Sequence, residues 1–237
     1  LKSIISETAF AASLQESRPI LTGVHMVLSE QKEFKAVATD SHRMSQRKLT
    51  LENTSANFNM VIPSKSLREF SAVFTDDIET VEVFFSDSQV LFRSDYISFY
   101  TRLLEGNYPD TDRLLTNSFE TEVTFNTAAL RSAMERAYLI SNATQNGTVK
   151  LEITSDSISS HVNSPEVGKV NEELDSISQS GSDLTISFNP TYLIEALKAL
   201  KSETVMIRFI SPVRPFTLMP GDDTENFVQL ITPVRTN

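Results

Sequence analysis

The feature that most constrains this chain is an internal repeat. Leu1-Lys2-Ser3-Ile4-Ile5 is echoed by Leu130-Arg131-Ser132-Ala133-Met134, a displacement of roughly 129 residues. Ile62-Pro63-Ser64-Lys65-Ser66-Leu67 is echoed by Phe188-Asn189-Pro190-Thr191-Tyr192-Leu193 at about 126 residues, and Glu79-Thr80-Val81-Glu82-Val83 by Glu203-Thr204-Val205-Met206-Ile207 at about 124. Three echoes in one order predict two tandem copies of a single supersecondary plan. A length of 237 residues accommodates two domains of about 100–150 residues each. The break falls near Leu115-Thr116-Asn117-Ser118, giving a first domain over 1–116 and a second over 117–237.

Each copy reads as helix, strands, second helix, strands. Period-2 alternation marks strands at residues 80–85 and 148–153. In the later copy Asn189 is the expected cap of the second helix, Pro190 supplies a preset φ at its first position, and Leu193, Leu197 and Leu200 form its apolar stripe. In the earlier copy Ser64 is the expected cap, with Leu67, Phe70 and Phe74 as the stripe. Both stripes predict helices lying on a sheet, an α+β unit in duplicate. A strand at residues 121–125 leads through Asn126-Thr127 into a helix to about Ile140. No such strand precedes Leu1, and with the missing initiator Met the chain reads as a fragment cut inside the first helix of its first domain. The polar stretch 163–183, with Ser164-Pro165 and Ser180-Gly181, reads as a strand–loop excursion at the surface.

Several chemistries are excluded. No apolar run approaches the roughly 18 residues of a membrane span, and no signal-like segment opens the chain, so a soluble, cytoplasmic protein is expected. There is no cysteine, hence no disulfide, thiolate metal site or cysteine nucleophile. His25, His42 and His161 lack the spacing of a zinc site, and neither a dinucleotide nor a Walker glycine motif is present. Thr39-Asp40-Ser41-His42-Arg43 gathers Asp, Ser and His, but triad members converge from distant segments, so adjacency argues little for catalysis. The expectation is a non-enzyme without metal or cofactor.

The net charge of −10 opposes nucleic-acid binding only on average, because the placement of the 21 Lys and Arg decides. The echoes put Lys2 and Arg131 at one position of the first helices, and Lys65, Arg68, Lys198 and Lys201 beside the stripes of the second helices. Solvated helix faces carry such residues routinely. Recurrence in both copies favours a band that meets phosphates without reading bases.

Four motifs carry a family resemblance: Ala38-Thr39-Asp40-Ser41-His42-Arg43-Met44, Glu105-Gly106-Asn107-Tyr108-Pro109-Asp110, Phe188-Asn189-Pro190-Thr191-Tyr192-Leu193, and Ile231-Thr232-Pro233-Val234-Arg235. In order and spacing they resemble the bacterial DNA polymerase III β subunit, the replicative sliding clamp, over its second and third domains only. The resemblance implies two copies of the DNA-clamp fold, with helices on one face of antiparallel sheet, within a three-domain subunit. It also implies a ring-shaped homodimer around duplex DNA, associated with the nucleoid during replication. A fragment without the first domain would be monomeric.

The resemblance further implies a peptide groove between the second domain, the third domain and the C-terminal tail, used by replicative and translesion polymerases, the clamp loader and mismatch-repair proteins. Carried over residue by residue, it comprises Leu21, Thr39, Ser41, His42, Arg43, Met44, Pro109, Arg113 and Leu114. From the third domain come Asn189, Tyr192, Val213, Pro215, Leu230, Ile231, Thr232, Pro233, Val234 and Arg235. Aliphatic and proline surfaces suit peptide side chains, while Asn, Arg and carbonyl groups suit an extended backbone. Arg18 joins the DNA-facing set by the same resemblance, although Arg18-Pro19-Ile20 lacks the aromatics some members carry there. Ser41 stands where many members have Gly, Thr232 where several have Met, and Thr236-Asn237 runs past the usual end. Two other classes stay open from the residues alone: a small hydrolase using Asp40 and His42, and a tandem interaction scaffold with no DNA role.

Overall fold

The computed structural model describes residues 1–52, 56–75, 78–142, 147–164 and 168–235. Pro165 of the Ser164-Pro165 turn and the Thr236-Asn237 extension lie outside the described residues. Contacts divide the chain into two units, Leu1–Arg113 and Leu114–Asn237, where the sequence reading placed the break after Thr116.

The first unit runs α1 (Lys2–Thr8), β1 (Gly23–Leu28), β2 (Glu33–Thr39), β3 (Arg43–Thr50), β4 (Phe58–Pro63), α2 (Ser64–Val73), β5 (Glu82–Phe85), β6 (Gln89–Arg93) and β7 (Ser98–Arg102). Antiparallel pairing orders its strands β3-β2-β1-β4 in one sheet and β5-β6-β7 in another. Alternation does the sorting: Val24, Met26, Leu28, Phe34, Ala36, Ala38, Met60 and Ile62 point to one side of the first sheet, where they meet Ile4 and Ile5 of α1 and Leu67, Phe70 and Phe74 of α2. Phe70 is the centre of this core, with ring centroids 4.3 Å from Phe74 and 4.7 Å from Phe92. A Phe70→Ala change would cost about 3–5 kcal/mol in lost transfer energy and cavity.

The second unit repeats the plan with β8 (Thr121–Asn126), α3 (Thr127–Ser141), β9 (Val149–Ile153), β10 (Ile158–Ser164), β11 (Gly168–Glu173), β12 (Ser176–Gly181), β13 (Leu184–Phe188), α4 (Pro190–Ala199), β14 (Thr204–Phe209), β15 (Phe216–Pro220) and β16 (Phe227–Ile231). Its sheets are β12-β8-β14-β15-β16 and β11-β10-β9-β13, again antiparallel. Both helices bury their stripes, including Leu193, Leu197 and Leu200, in one core with the strands. The α+β duplicate expected from the echoes is the fold observed.

Two local expectations are corrected. Ser64 is the first residue of α2 rather than its cap; Pro63 holds the cap position and no side chain caps the helix, while the Ser64 hydroxyl accepts from Arg68 Nη2 at 3.2 Å. Lys201 lies beyond α4, whose last helical residue is Ala199. Within the stretch 163–183, expected as a strand–loop excursion at the surface, the described residues form β11 and β12, which keep backbone pairing while their side chains are largely solvated.

Candidate functional site

The turn joining β2 to β3 is the most constrained element of the first unit. The Asp40 carboxylate accepts from the amides of His42 at 2.9 Å and Arg43 at 3.0 Å through Oδ1, and from Arg43 Nε at 3.0 Å through Oδ2. Arg43 Nη2 donates to the Phe10 carbonyl at 3.1 Å, and its guanidinium lies 5.5 Å from the Phe10 ring. Thr39 Oγ1 donates to the Arg43 carbonyl at 2.6 Å and accepts the Ser41 amide at 3.1 Å. Ser41 has a φ of 80°, a left-handed backbone that glycine adopts more readily than serine. Three donors engage Asp40, so its carboxylate builds the turn.

A second layer sits on the sheet face opposite the helices. The segment 104–113 crosses it: the Leu104 amide donates to the Val61 carbonyl at 2.9 Å, and Tyr108 accepts the Thr39 amide on its hydroxyl at 3.1 Å. Asp112 pairs with Lys35 at 2.7 Å, and Asp110 with Arg113 at 2.7 Å. Burial pushes the Tyr108 hydroxyl well above the usual tyrosine range, with the Thr39 bond working against it and the charge of Asp40 adding to it. Leu21, Thr39 and Met44 are buried, and Ser41, His42, Pro109 and Arg113 are exposed. Leu114, which opens the second unit, is half exposed.

In the second unit Asn189 caps α4, its Oδ1 accepting the Thr191 amide at 2.9 Å, and Tyr192 follows half-buried in the first turn. The tail beyond β16 runs beside β13, with the Val234 amide donating to the Ser187 carbonyl at 2.7 Å. Thr232 and Pro233 are half-buried, and Val234 and Arg235 are exposed. Val213 is exposed and Pro215 half-buried in the turn before β15. Leu230 is buried, whereas Ile231 belongs to the core of the unit and offers a partner little side chain. Phe10 and Tyr108, which with Asp40 hold the first unit's set in place, were not singled out from sequence; Asp40 was read there only as half of a hydrolase pair, Tyr108 lay in a recognised motif, and nothing in the sequence links Phe10 to Arg43.

The helices gather charge unlike the chain's average. They carry Lys2, Lys65, Arg68, Arg131, Arg136 and Lys198 against Glu7, Glu69, Glu135 and Glu195, while the whole chain has 21 Lys and Arg against 31 Asp and Glu. Lys65 is exposed; Arg68 Nη1 donates to the Ala9 carbonyl at 3.3 Å, and Lys198 sits 3.5 Å from Glu135. Among the described residues no group of three or more His, Asp or Glu could hold a metal ion. His161 is held in a hydrogen-bonded setting, Nδ1 lying 2.8 Å from Asn171 Oδ1 and Nε2 2.8 Å from Ser159 Oγ. No helix of the described residues is long and apolar enough to cross a membrane.

Two successive helix-on-sheet units of one plan, with cations drawn to the helices, are the architecture of a DNA-clamp subunit. The chain belongs to the DNA polymerase III beta subunit family: the model of that family's central domain matches residues 1–110, and the model of its C-terminal domain matches residues 112–235. It is 72% identical over 237 residues to the beta sliding clamp of Streptococcus pneumoniae (strain TIGR4), covering 100% of this chain and 63% of that protein. The beta sliding clamp of Lactococcus lactis is 56% identical, over 100% of this chain and 63% of its own length. Among solved structures, the beta subunit from Streptococcus pyogenes DNA polymerase superposes with a TM-score of 0.97 at 82% identity, over 99% of this chain and 63% of that one. The Bacillus subtilis sliding clamp follows at a TM-score of 0.94 and 42% identity, over 100% of this chain and 62% of that one. The chain thus spans about 63% of the length of the curated relatives it matches.

Proposed function

We propose that this chain serves a sliding clamp, a processivity factor that performs no catalysis and raises the effective concentration of a tethered polymerase at DNA. The observation that carries the reading is that both units, at 1–110 and 112–235, match successive domains of the DNA polymerase III beta subunit.

Peptide binding draws on two residue sets, one per unit. The first unit offers Leu21, Thr39, Ser41, His42, Arg43, Met44, Pro109 and Arg113. The second offers Leu114, Asn189, Tyr192, Val213, Pro215, Leu230, Thr232, Pro233, Val234 and Arg235, with Ile231 contributing main chain rather than side chain. The rigidity of the Asp40–Arg43 clamp supports this use, because a preordered surface loses less entropy on binding. The partners are linear motifs of replicative and translesion polymerases, the clamp loader and mismatch-repair proteins.

Duplex DNA is the ligand of the helix cations Lys2, Lys65, Arg68, Arg131 and Lys198, with Lys201 just past α4 and Arg18 added by resemblance. Side chains on helix backs suit phosphates and carry no base readout, so binding is sequence-independent and weakens steeply with salt. A ring-shaped homodimer in the bacterial cytoplasm completes the reading. In support, β11 ends its sheet with an unpaired edge among the described residues, and Leu139 nearby on α3 is 74% exposed.

The test is fluorescence anisotropy of a labelled peptide from the C-terminus of a replicative DNA polymerase. Saturable binding that weakens in Met44→Ala and in Pro233→Ala, each checked for folding by thermal melting, supports the assignment. Absence of saturable binding, or indifference to both substitutions in folded protein, removes it.

A further inference from the structure

Resemblance groups Arg18 with the DNA-facing cations, yet its guanidinium is engaged elsewhere: Nη1 donates to the Ser41 hydroxyl at 2.8 Å, bridging stretches 23 residues apart. Both partners are exposed, so the bond is no demand of the core. Ser41 is one of two non-glycine residues with positive φ among the described residues, the other being Lys32. A Cβ in that conformation is disfavoured, and glycine would remove the strain. Serine supplies what glycine lacks, an acceptor for Arg18.

The bond joins two elements that are each already closed. On one side, Ser41 donates its amide to Thr39 Oγ1, and Asp40 clamps the next two amides. On the other, the loop bearing Arg18 is tied at its base, where the Ser13 amide donates to the Leu21 carbonyl at 2.8 Å and the Leu21 amide to the Arg18 carbonyl at 3.1 Å. The Ser13 hydroxyl also accepts the Gln15 amide at 3.1 Å. A single charged hydrogen bond between two stiff loops fixes their relative position, whereas between two floppy ones it would fix nothing.

We propose that Arg18 is a positioning residue of the peptide-binding surface of the first unit: through Ser41 it holds the already closed turn at residues 40–42, with Thr39 and Met44 at the facing strand ends, in a fixed position against the loop that bears Arg18. The ligand class is an extended peptide, and the inference rests on the peptide-binding reading above. With glycine in place of Ser41 this side-chain latch could not form. The serine therefore exchanges backbone ease for preorganisation, lowering the ordering cost of the encounter.

A double-mutant cycle tests it with the labelled polymerase C-terminal peptide and four proteins: the chain itself, Arg18→Ala, Ser41→Ala, and both together. Alanine at 41 keeps the Cβ and hence the backbone restriction, removing only the acceptor. Each single change should weaken the peptide roughly three- to tenfold, as expected for one hydrogen bond. The double variant should be no weaker than the worse single, because one interaction is lost in all three. Melting temperatures should stay level. Additive losses in the cycle, or a peptide affinity unmoved by Arg18→Ala, overturns the latch. Failure of the parent chain to bind the peptide at all would instead overturn the peptide reading on which it rests.

Discussion

Tyr108 lays its ring against His25, centroids 4.8 Å apart at an interplanar angle of 31°, while its hydroxyl accepts the Thr39 amide at 3.1 Å. One side chain thus pins segment 104–113 to two neighbouring strands, β1 and β2, at the end of the sheet that carries the Asp40 turn. Tyr108→Phe keeps the ring contact and removes the acceptor, leaving a part-buried amide unpaired. The expected loss is about 1–3 kcal/mol, read as a lower denaturant midpoint with an unchanged slope. An unaltered midpoint would show that the bond contributes nothing.

Burial makes His25 acid-sensitive. Burial lowers its pKa, the Asn59 hydrogen bond raises it, nearby Lys35 lowers it and Asp112 raises it, with a net shift downward. The unfolded chain therefore takes up the proton first, at about pH 6.5. Stability contributed by the neutral ring is complete above that value and is lost as pH falls from there through the depressed folded value. His25→Gln, which can still donate towards Asn59, should flatten this part of the stability curve in urea titrations at a series of pH values. Parallel curves for parent and variant would contradict the assignment.

Arg43 holds the turn by geometry that lysine cannot copy: Nε reaches Asp40 at 3.0 Å while Nη2 reaches the Phe10 carbonyl at 3.1 Å. Arg43→Lys keeps the charge and loses the fork. Weaker peptide binding at an unchanged isoelectric balance is expected, measured by the same anisotropy titration. Full affinity in Arg43→Lys would mean that charge alone matters there.

Two glycines with left-handed backbone separate strain from clash. Gly168 has a φ of +113° and open space where a Cβ would stand, whereas Gly181 has a φ of +102° and a Cβ there would lie 2.0 Å from the Glu120 carbonyl oxygen. Gly168→Ala should cost only the backbone penalty, about 1–2 kcal/mol. Gly181→Ala must also displace the end of β12 from β8 and should be clearly worse. Chemical denaturation ranks the two, and equal losses would contradict the clash.

Much of the fold was legible because the repeat and the helix stripes encode it directly. Asn189-Pro190 with Leu193, Leu197 and Leu200 marked α4, and the structure uses the cap, the proline and the stripe as expected. Ser64 misled because its residue type suits a cap, while the chain enters α2 through Pro63. The bounds of β11 and β12 within the expected strand–loop stretch were not legible, because strands with largely solvated side chains show no apolar alternation, and backbone pairing leaves no compositional trace. At the candidate site the residue types were readable, but their supports were not. The contact of Arg43 with Phe10 spans 33 residues, and the left-handed φ of Ser41 is a backbone property that its side chain does not announce.

The central claim, that this chain is built for a clamp on DNA, is tested most directly by joining it to the N-terminal part of the 72% identical Streptococcus pneumoniae relative, of which it covers 63%. The measurement is retention of the purified fusion on nicked circular DNA, loaded by the cognate clamp loader and followed by gel filtration, before and after the circle is cut once. The account predicts a dimer retained on the circle and lost on linearisation, because a ring held by topology slides off a free end. A monomeric fusion, or one that stays equally bound after the cut, would contradict it.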